Sequence, residues 1–232
     1  MRASVNNYRL ITEENPRSFV SEAYRTLRTN IQFSSIDSQI RSIVVTSPEP
    51  SEGKSTTISN LAVTFAQEGK STILIDADMR KPTLHHYFLK SNRSGLSNLL
   101  AGQMDLQQCL NDTHIDHLYL LPSGPIPPNP AEMLNSKRME QLIEELKTRF
   151  EMILIDSPPT LAVTDSQILA TKVDGVVFVL NCGKVKRDTA RKALDRLEQV
   201  NARMLGVVLN NKDRKKSESP YYYYYGYGPK QK

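Results

Sequence analysis

Short apolar runs alternate with helical spacings along most of this chain. Six runs read as buried strands: SIVVT (42–46), TILID (72–76), LYLL (118–121), MILID (152–156), GVVFVL (175–180) and LGVVLN (205–210). Between most of them apolar residues return at helical intervals, most clearly over 55–68, 136–149 and 187–200. Gly69 follows the first of these, where a helix stop belongs. Upstream, Phe19, Ala23, Leu27 and Ile31 recur every fourth residue. They predict an amphipathic helix over 18–34, with Arg25 and Arg28 off its apolar stripe. Strands alternating with helices predict an α/β fold, a doubly wound and mostly parallel sheet covered on both faces. No internal repeat is visible. Residues 122–130, PSGPIPPNP, read as a stiff proline-rich connector. The pattern divides the chain into one domain over 1–210 and a flexible tail over 211–232.

Composition narrows the class. The 232 residues are 39% hydrophobic and 24% charged, enough apolar material for an ordinary globular core. No apolar run approaches the roughly 20 residues that span a bilayer. The first residues, MRASVNNYRLITEENP, carry no apolar signal segment, so the expected location is the cytoplasm. Cys109 and Cys182 stand far apart without metal-type spacing and read as reduced. His85 and His86 likewise lack partners at metal spacing. The formal charge is +5, part of it in a basic stretch from Lys212 to Lys216. That modest excess suits an acidic surface or a phosphorylated partner better than a nucleic acid, and none is expected as a ligand.

Candidate chemistry begins after the first strand, at SPEPSEGKSTT (47–57). Gly53-Lys54-Ser55 lies between a strand and a helix. Backbone N–H groups there can cradle phosphate oxygens, Lys54 can reach the outer phosphates, and Ser55 can ligate Mg²⁺. Glu52, Gly53, Lys54, Ser55 and Thr56 are therefore the expected phosphate-binding residues, and ATP with Mg²⁺ the expected ligands. Pro48 stands where such loops carry their first glycine, and Ser51 where another would ease a tight turn. Two strands end in the same letters: ILIDADMR supplies Asp76 and Asp78, and ILIDSPP supplies Asp156. In an open parallel sheet strand C-terminal ends share one rim, so Asp76 and Asp156 should meet the loop. Ser55, Asp76 and Asp156 form the expected metal set. Arg80 reads more simply as a structural ion-pair partner.

SPEPSEGKST, ILIDADMR and ILIDSPP together resemble the three nucleotide motifs of the bacterial tyrosine kinases, P-loop proteins of the Gram-positive capsule or exopolysaccharide type. EAYRTLRTN (22–30) resembles their N-terminal oligomerisation motif, carried here by Glu22, Arg25 and Arg28. SGPIPPNPAEML (123–134) resembles a further family loop. With the tyrosine-rich end, the resemblance covers essentially the whole chain. It implies a protein-tyrosine kinase in which Lys54, Asp76 and Asp78 are catalytic. Asp76 accepts or orients the tyrosine proton with Asp78 as its neighbour, and Asn210 reads the adenine. It implies a homo-oligomer, a ring in which each tail enters the next subunit's site. The implied acceptors are Tyr221, Tyr222, Tyr223, Tyr224, Tyr225 and Tyr227. A membrane adaptor of the polysaccharide co-polymerase type would recruit the chain to the inner face of the membrane and activate it. A phosphotyrosine phosphatase would reset it, and other protein substrates would follow. The family loop usually reads P-G-E-G-K-S-T. Ser51 replaces its first glycine, a cost of about 1 kcal/mol if that position needs positive φ.

Two other classes share these motifs. MinD/ParA-like ATPases carry a signature lysine where this chain has Glu49, and they lack the tyrosine tail. A nucleotide-binding oligomeric scaffold would bind without transferring phosphate.

Overall fold

The computed structural model describes residues 8–34 and 39–212. Two N-terminal helices, α1 (Ile11–Glu14) and α2 (Phe19–Gln32), lead into strand β1 (Ser42–Thr46) and the long helix α3 (Lys54–Gln67). Strand β2 (Thr72–Asp76) is followed by three short helices, α4 (Leu84–Tyr87), α5 (Leu96–Ala101) and α6 (Leu106–Cys109). Then come β3 (Asn111–Asp112), β4 (Leu118–Leu121), α7 (Pro130–Leu134) and α8 (Lys137–Arg149). The chain continues through β5 (Met152–Asp156), α9 (Asp165–Ala170), β6 (Gly175–Asn181), α10 (Arg187–Glu198) and β7 (Met204–Asn210).

The seven strands form one sheet in the order β3-β4-β2-β5-β1-β6-β7. Every pairing is parallel except β3 with β4. Successive side chains of a strand point to opposite faces, and both faces of β1, β2 and β5 are covered, while β7 at the sheet edge leaves Val207 and Leu209 half-exposed. Ile73 and Ile75 of β2 join the core beneath α8, and Leu74 between them joins the core beneath α3. That division explains why the strands read as unbroken apolar runs. The expected fold class and all six expected strands are present. The short helices and β3 carry too few residues for a period to show. Helix α3 ends at Gln67, and Gly69 just beyond it has φ 87°. That left-handed stop is the one its position predicts.

Helix α2 departs from expectation in its orientation. Ser21 and Ile31 are its buried residues, whereas Phe19 is 43% exposed and Ala23 is also exposed. Arg28 turns inward, its Nη1 donating to the Thr64 carbonyl of α3 at 2.7 Å. The helix is rotated because Ser21 Oγ donates to the carbonyls of Ile11 and Asn15, at 3.0 and 2.7 Å. Those polar bonds tie it to α1, and four-residue spacing of apolar letters cannot reveal them. The expected tail, residues 211–232, lies almost wholly outside the described residues.

Candidate nucleotide site

The C-terminal ends of β1, β2 and β5 are adjacent in the sheet, which brings three loops to one rim. The loop after β1 turns through two left-handed residues, Ser51 at φ 63° and Gly53 at φ 94°. Position 51 does take a positive φ, so serine is strained there. Gly53 is needed twice over. Its φ disfavours side chains, and a Cβ would lie 2.1 Å from Asn210 Nδ2.

Glu52 braces this loop. Its side chain is buried, with Oε1 accepting from the Glu49 N–H at 2.8 Å and Oε2 from the Asn181 N–H at 3.3 Å. Burial pushes its carboxyl up, and those two N–H groups pull it back. Its carbonyl accepts from Asn210 Nδ2 at 2.9 Å. Asn210 therefore reaches the loop, but its Nδ2 holds Glu52 and its Oδ1 accepts from the Asn211 N–H at 2.9 Å. The sequence pattern around Glu52 points only to its backbone. Its partners at 181 and 210 are too distant in the chain for any local pattern to expose.

At the start of α3, Lys54 is buried and Ser55 Oγ donates to Asp156 Oδ2 at 2.5 Å. Asp76 and Asp156 are register partners in β2 and β5, so the two carboxylates stand side by side as expected. Both are fully buried. Asp76 Oδ2 accepts from the N–H groups of Thr83 and Leu84, each at 2.9 Å. The remaining oxygens, Asp76 Oδ1 and Asp156 Oδ1, are buried without a hydrogen bond. Burial pushes Asp156 up to about 7, opposed by Lys54 and Ser55. Burial, and then the charge of Asp156, hold Asp76 well above the ordinary carboxylate range. Two orphaned carboxylate oxygens beside a serine hydroxyl are the donor set a hard divalent cation takes, with phosphate oxygens completing its shell. Among the described residues no group of three His, Cys, Asp or Glu side chains could hold a metal by itself.

Above these carboxylates lies a cavity of about 380 Å³. Lys54, Ser55, Asp78 and Lys81 line it on one side, and Pro158, Pro159 and Val163 form an apolar wall. Of the two candidate proton acceptors, only Asp78 lines the cavity. Its Oδ1 accepts from the Lys81 N–H at 3.0 Å, and burial raises its carboxyl. Arg80 is in the cavity wall, held by buried Asp165 through two 3.0 Å bonds, the structural pairing expected of it. A contact absent from the sequence reading steadies the helix start. The Tyr87 and Thr56 hydroxyls lie 2.6 Å apart, and burial pushes the Tyr87 phenol up to about 12. Glu22 and Arg25 lie outside the site, joined at 2.6 Å on the exposed side of α2.

A phosphate loop between strand and helix, with strand-end carboxylates beside its serine, defines the nucleotide-binding P-loop class. A sequence model of the AAA domain family matches residues 40–211. The chain is 46% identical over 222 residues to "Tyrosine-protein kinase YwqD" of Bacillus subtilis (strain 168), covering 95% of this chain and 94% of that protein. The crystal structure of "the chimerical protein CapA2B2" superposes with a TM-score of 0.86 at 42% identity, over 88% of this chain and 90% of that one. "The kinase domain of Escherichia coli tyrosine kinase ETK" does so with a TM-score of 0.86 at 30% identity, over 100% and 89%. The chain belongs to the bacterial tyrosine-protein kinases. The cell division ATPase MinD of Pyrococcus furiosus is a more distant likeness, with a TM-score of 0.65 at 25% identity over 76% of this chain and 74% of that one.

Proposed function

We propose that this chain is an ATP-dependent protein-tyrosine kinase that phosphorylates its own tyrosine-rich end in trans and thereby regulates capsular or exopolysaccharide synthesis. The observation that carries the reading is the junction of Ser55, Asp76 and Asp156 at the phosphate loop. Lys54 and the backbone from Glu52 to Thr56 hold the phosphates of ATP. Ser55, Asp76 and Asp156 hold Mg²⁺, which when bound neutralises charge on the phosphate oxygens. Free tyrosine ionises near pH 10, so its hydroxyl needs a carboxylate to take the proton as the new bond forms. Asp78 is open to the cavity and meets an incoming phenol first, with Asp76 beneath it. Asn210 can serve adenine only by exchanging one of its present bonds.

The acceptors are Tyr221, Tyr222, Tyr223, Tyr224, Tyr225 and Tyr227 of a neighbouring subunit in a ring. Glu22 and Arg25 contribute to the subunit contact directly, and Arg28 through the packing it gives α2 against α3. A membrane adaptor places the kinase at the inner face of the membrane and activates it, and a phosphatase resets it. No helix among the described residues is long and apolar enough to cross a membrane. The MinD-like ATPase alternative shares the fold, but its signature lysine position holds Glu49 here.

Incubation with Mg·ATP separates these readings. Phosphotyrosine in the 219–232 peptide, lost in Lys54→Met, is the expected result. Release of inorganic phosphate without phosphotyrosine would make the chain an ATPase, and neither product would leave a scaffold.

A further inference from the structure

Four of the ten tyrosines lie among the described residues: Tyr8, Tyr24, Tyr87 and Tyr119. Three are committed to the fold. Tyr87 is buried against Thr56, Tyr24 is largely buried with its hydroxyl on Thr57, and Tyr119 packs edge-on to Phe150 at 5.3 Å. Tyr8 differs in its exposure and its place. It is 41% exposed, its hydroxyl makes no hydrogen bond among the described residues, and it lines the same cavity as Lys54, Ser55 and Asp78.

Its position is fixed from both sides. The Tyr8 ring stands edge-on to Tyr87 with centroids 5.1 Å apart, and lies 4.9 Å from His86. Two residues on, Leu10 is buried, and Thr12 donates twice to Asn60 Oδ1, from its N–H at 3.0 Å and its hydroxyl at 2.9 Å. Asn60 belongs to α3 and donates in turn to the Thr56 carbonyl at 2.9 Å. The segment that carries Tyr8 is thus bolted to the helix that begins in the phosphate loop. A phenol held in that way reacts as a neighbour and not as a diffusing substrate, which is where positioning gives its largest effect.

We infer that Tyr8 is a phosphorylation site, modified within its own chain by the phosphate site whose cavity it lines. The inference rests on the kinase reading. In the step the Tyr8 oxygen bonds to the γ-phosphorus of ATP, the bond from that phosphorus to the β–γ bridging oxygen breaks, and ADP leaves. The phenol proton passes to the Asp78 carboxylate. The product has counter-charges at hand. Tyr8 also lines a neighbouring cavity of about 440 Å³ that holds Lys90, and Lys81 lines the first. The carboxylates of that second cavity are already engaged, Glu13 with His114 at 3.0 Å and Glu14 with Arg9 at 2.9 Å. A phosphate on Tyr8 would place about −1.5 to −2 charges at the rim where ATP enters. The modification would therefore weaken ATP binding and limit the kinase from within.

The test uses the full chain with Tyr221 to Tyr225 and Tyr227 replaced by Phe, incubated with Mg·ATP beside the unaltered chain and followed by phosphopeptide mass spectrometry. The expected result is one phosphate on Tyr8, absent when Tyr8→Phe is added. Its labelled fraction per minute should stay constant over a dilution of about a hundredfold, as an intramolecular step requires. Labelling that slows in proportion to dilution would overturn the intramolecular route. A labelled 219–232 peptide in the unaltered chain with Tyr8 unmodified would overturn the site and leave the kinase standing. No phosphotyrosine in either chain would remove the kinase reading, and this inference with it. Tyr8→Phe in the unaltered chain should keep phosphorylation of the 219–232 peptide, since the phenol is an acceptor and not part of the machinery.

Discussion

Ser55 and Asp156 lie 101 residues apart in the chain, yet the Ser55 hydroxyl donates to Asp156 Oδ2 at 2.5 Å. That bond joins the first turn of α3 to the end of β5. It holds a serine oxygen beside a carboxylate whose second oxygen, Oδ1, is buried without a hydrogen bond. Ser55→Ala and Asp156→Asn should each weaken nucleotide binding when Mg²⁺ is present and leave binding in a chelator nearly unchanged. Phosphoryl transfer should fall about a hundredfold or more in each, the scale of removing one preorganised charge-stabilising group. Nucleotide titration with and without Mg²⁺ is the measurement. An equal loss in both conditions would place the metal elsewhere.

The adjacent carboxylates should give the metal-free protein an inverted pH response. Asp156 is pushed up to about 7 and Asp76 well above its ordinary value, chiefly by burial. Between the unfolded value near pH 4 and those raised values, the folded chain holds more protons than the unfolded one. The associated stability is complete below about pH 4 and is lost as pH rises through about 7. Thermal melts of metal-free protein should therefore fall from about pH 5 to about pH 8, a trend that Asp156→Asn flattens. A rise in melting temperature over that range would contradict the burial of the pair.

Ser51 at φ 63° holds a conformation that glycine adopts freely. Ser51→Gly relieves the strain but loosens the unfolded chain, so a net gain of about 0.5–1 kcal/mol is expected. For a domain of this size that is a melting shift of about 1–4 °C. Calorimetry decides it, and a lower melting temperature would mean that the serine side chain holds the loop in a way its backbone does not reveal.

Arg28 and its helix neighbours should separate folding from assembly. Arg28 Nη1 donates to the Thr64 carbonyl at 2.7 Å, and Nη2 lies 3.6 Å from Glu68 Oε1. Arg28→Ala should cost about 1–2 kcal/mol in the fold itself. Glu22 and Arg25 pair on the exposed side, where ion pairs contribute little. Arg25 also donates to the Pro16 carbonyl at 2.7 Å, so replacing those two by alanine should lower the melting temperature less than Arg28→Ala does and reduce the particle mass in light scattering. An unchanged mass would take this face of α2 out of the subunit contact.

The sequence by itself determined the layered fold, because the central strands, buried on both faces, are apolar through their middles and carry polar residues only at their ends. It also marked the phosphate loop and the strand-end aspartates, whose chemistry is local: a glycine that turns, a lysine that reaches, a carboxylate where a strand stops. What it could not determine was set by contacts between distant segments. Nothing near Glu52 in the chain shows that Asn181 and Asn210 will close on it. The same spacing that marked α2 as a helix placed Leu27 and Ile31 inward but missed that Phe19 and Ala23 face out, because Ser21 binds the carbonyls of Ile11 and Asn15 while Arg28 reaches α3. Nor does any pattern near position 8 show a phenol at the rim of the phosphate cavity. Its place depends on Thr12 meeting Asn60, 48 residues later. Periodicity reports which residues leave water, whereas polar partners are chosen by three-dimensional packing, and that choice exists only once the chain has folded.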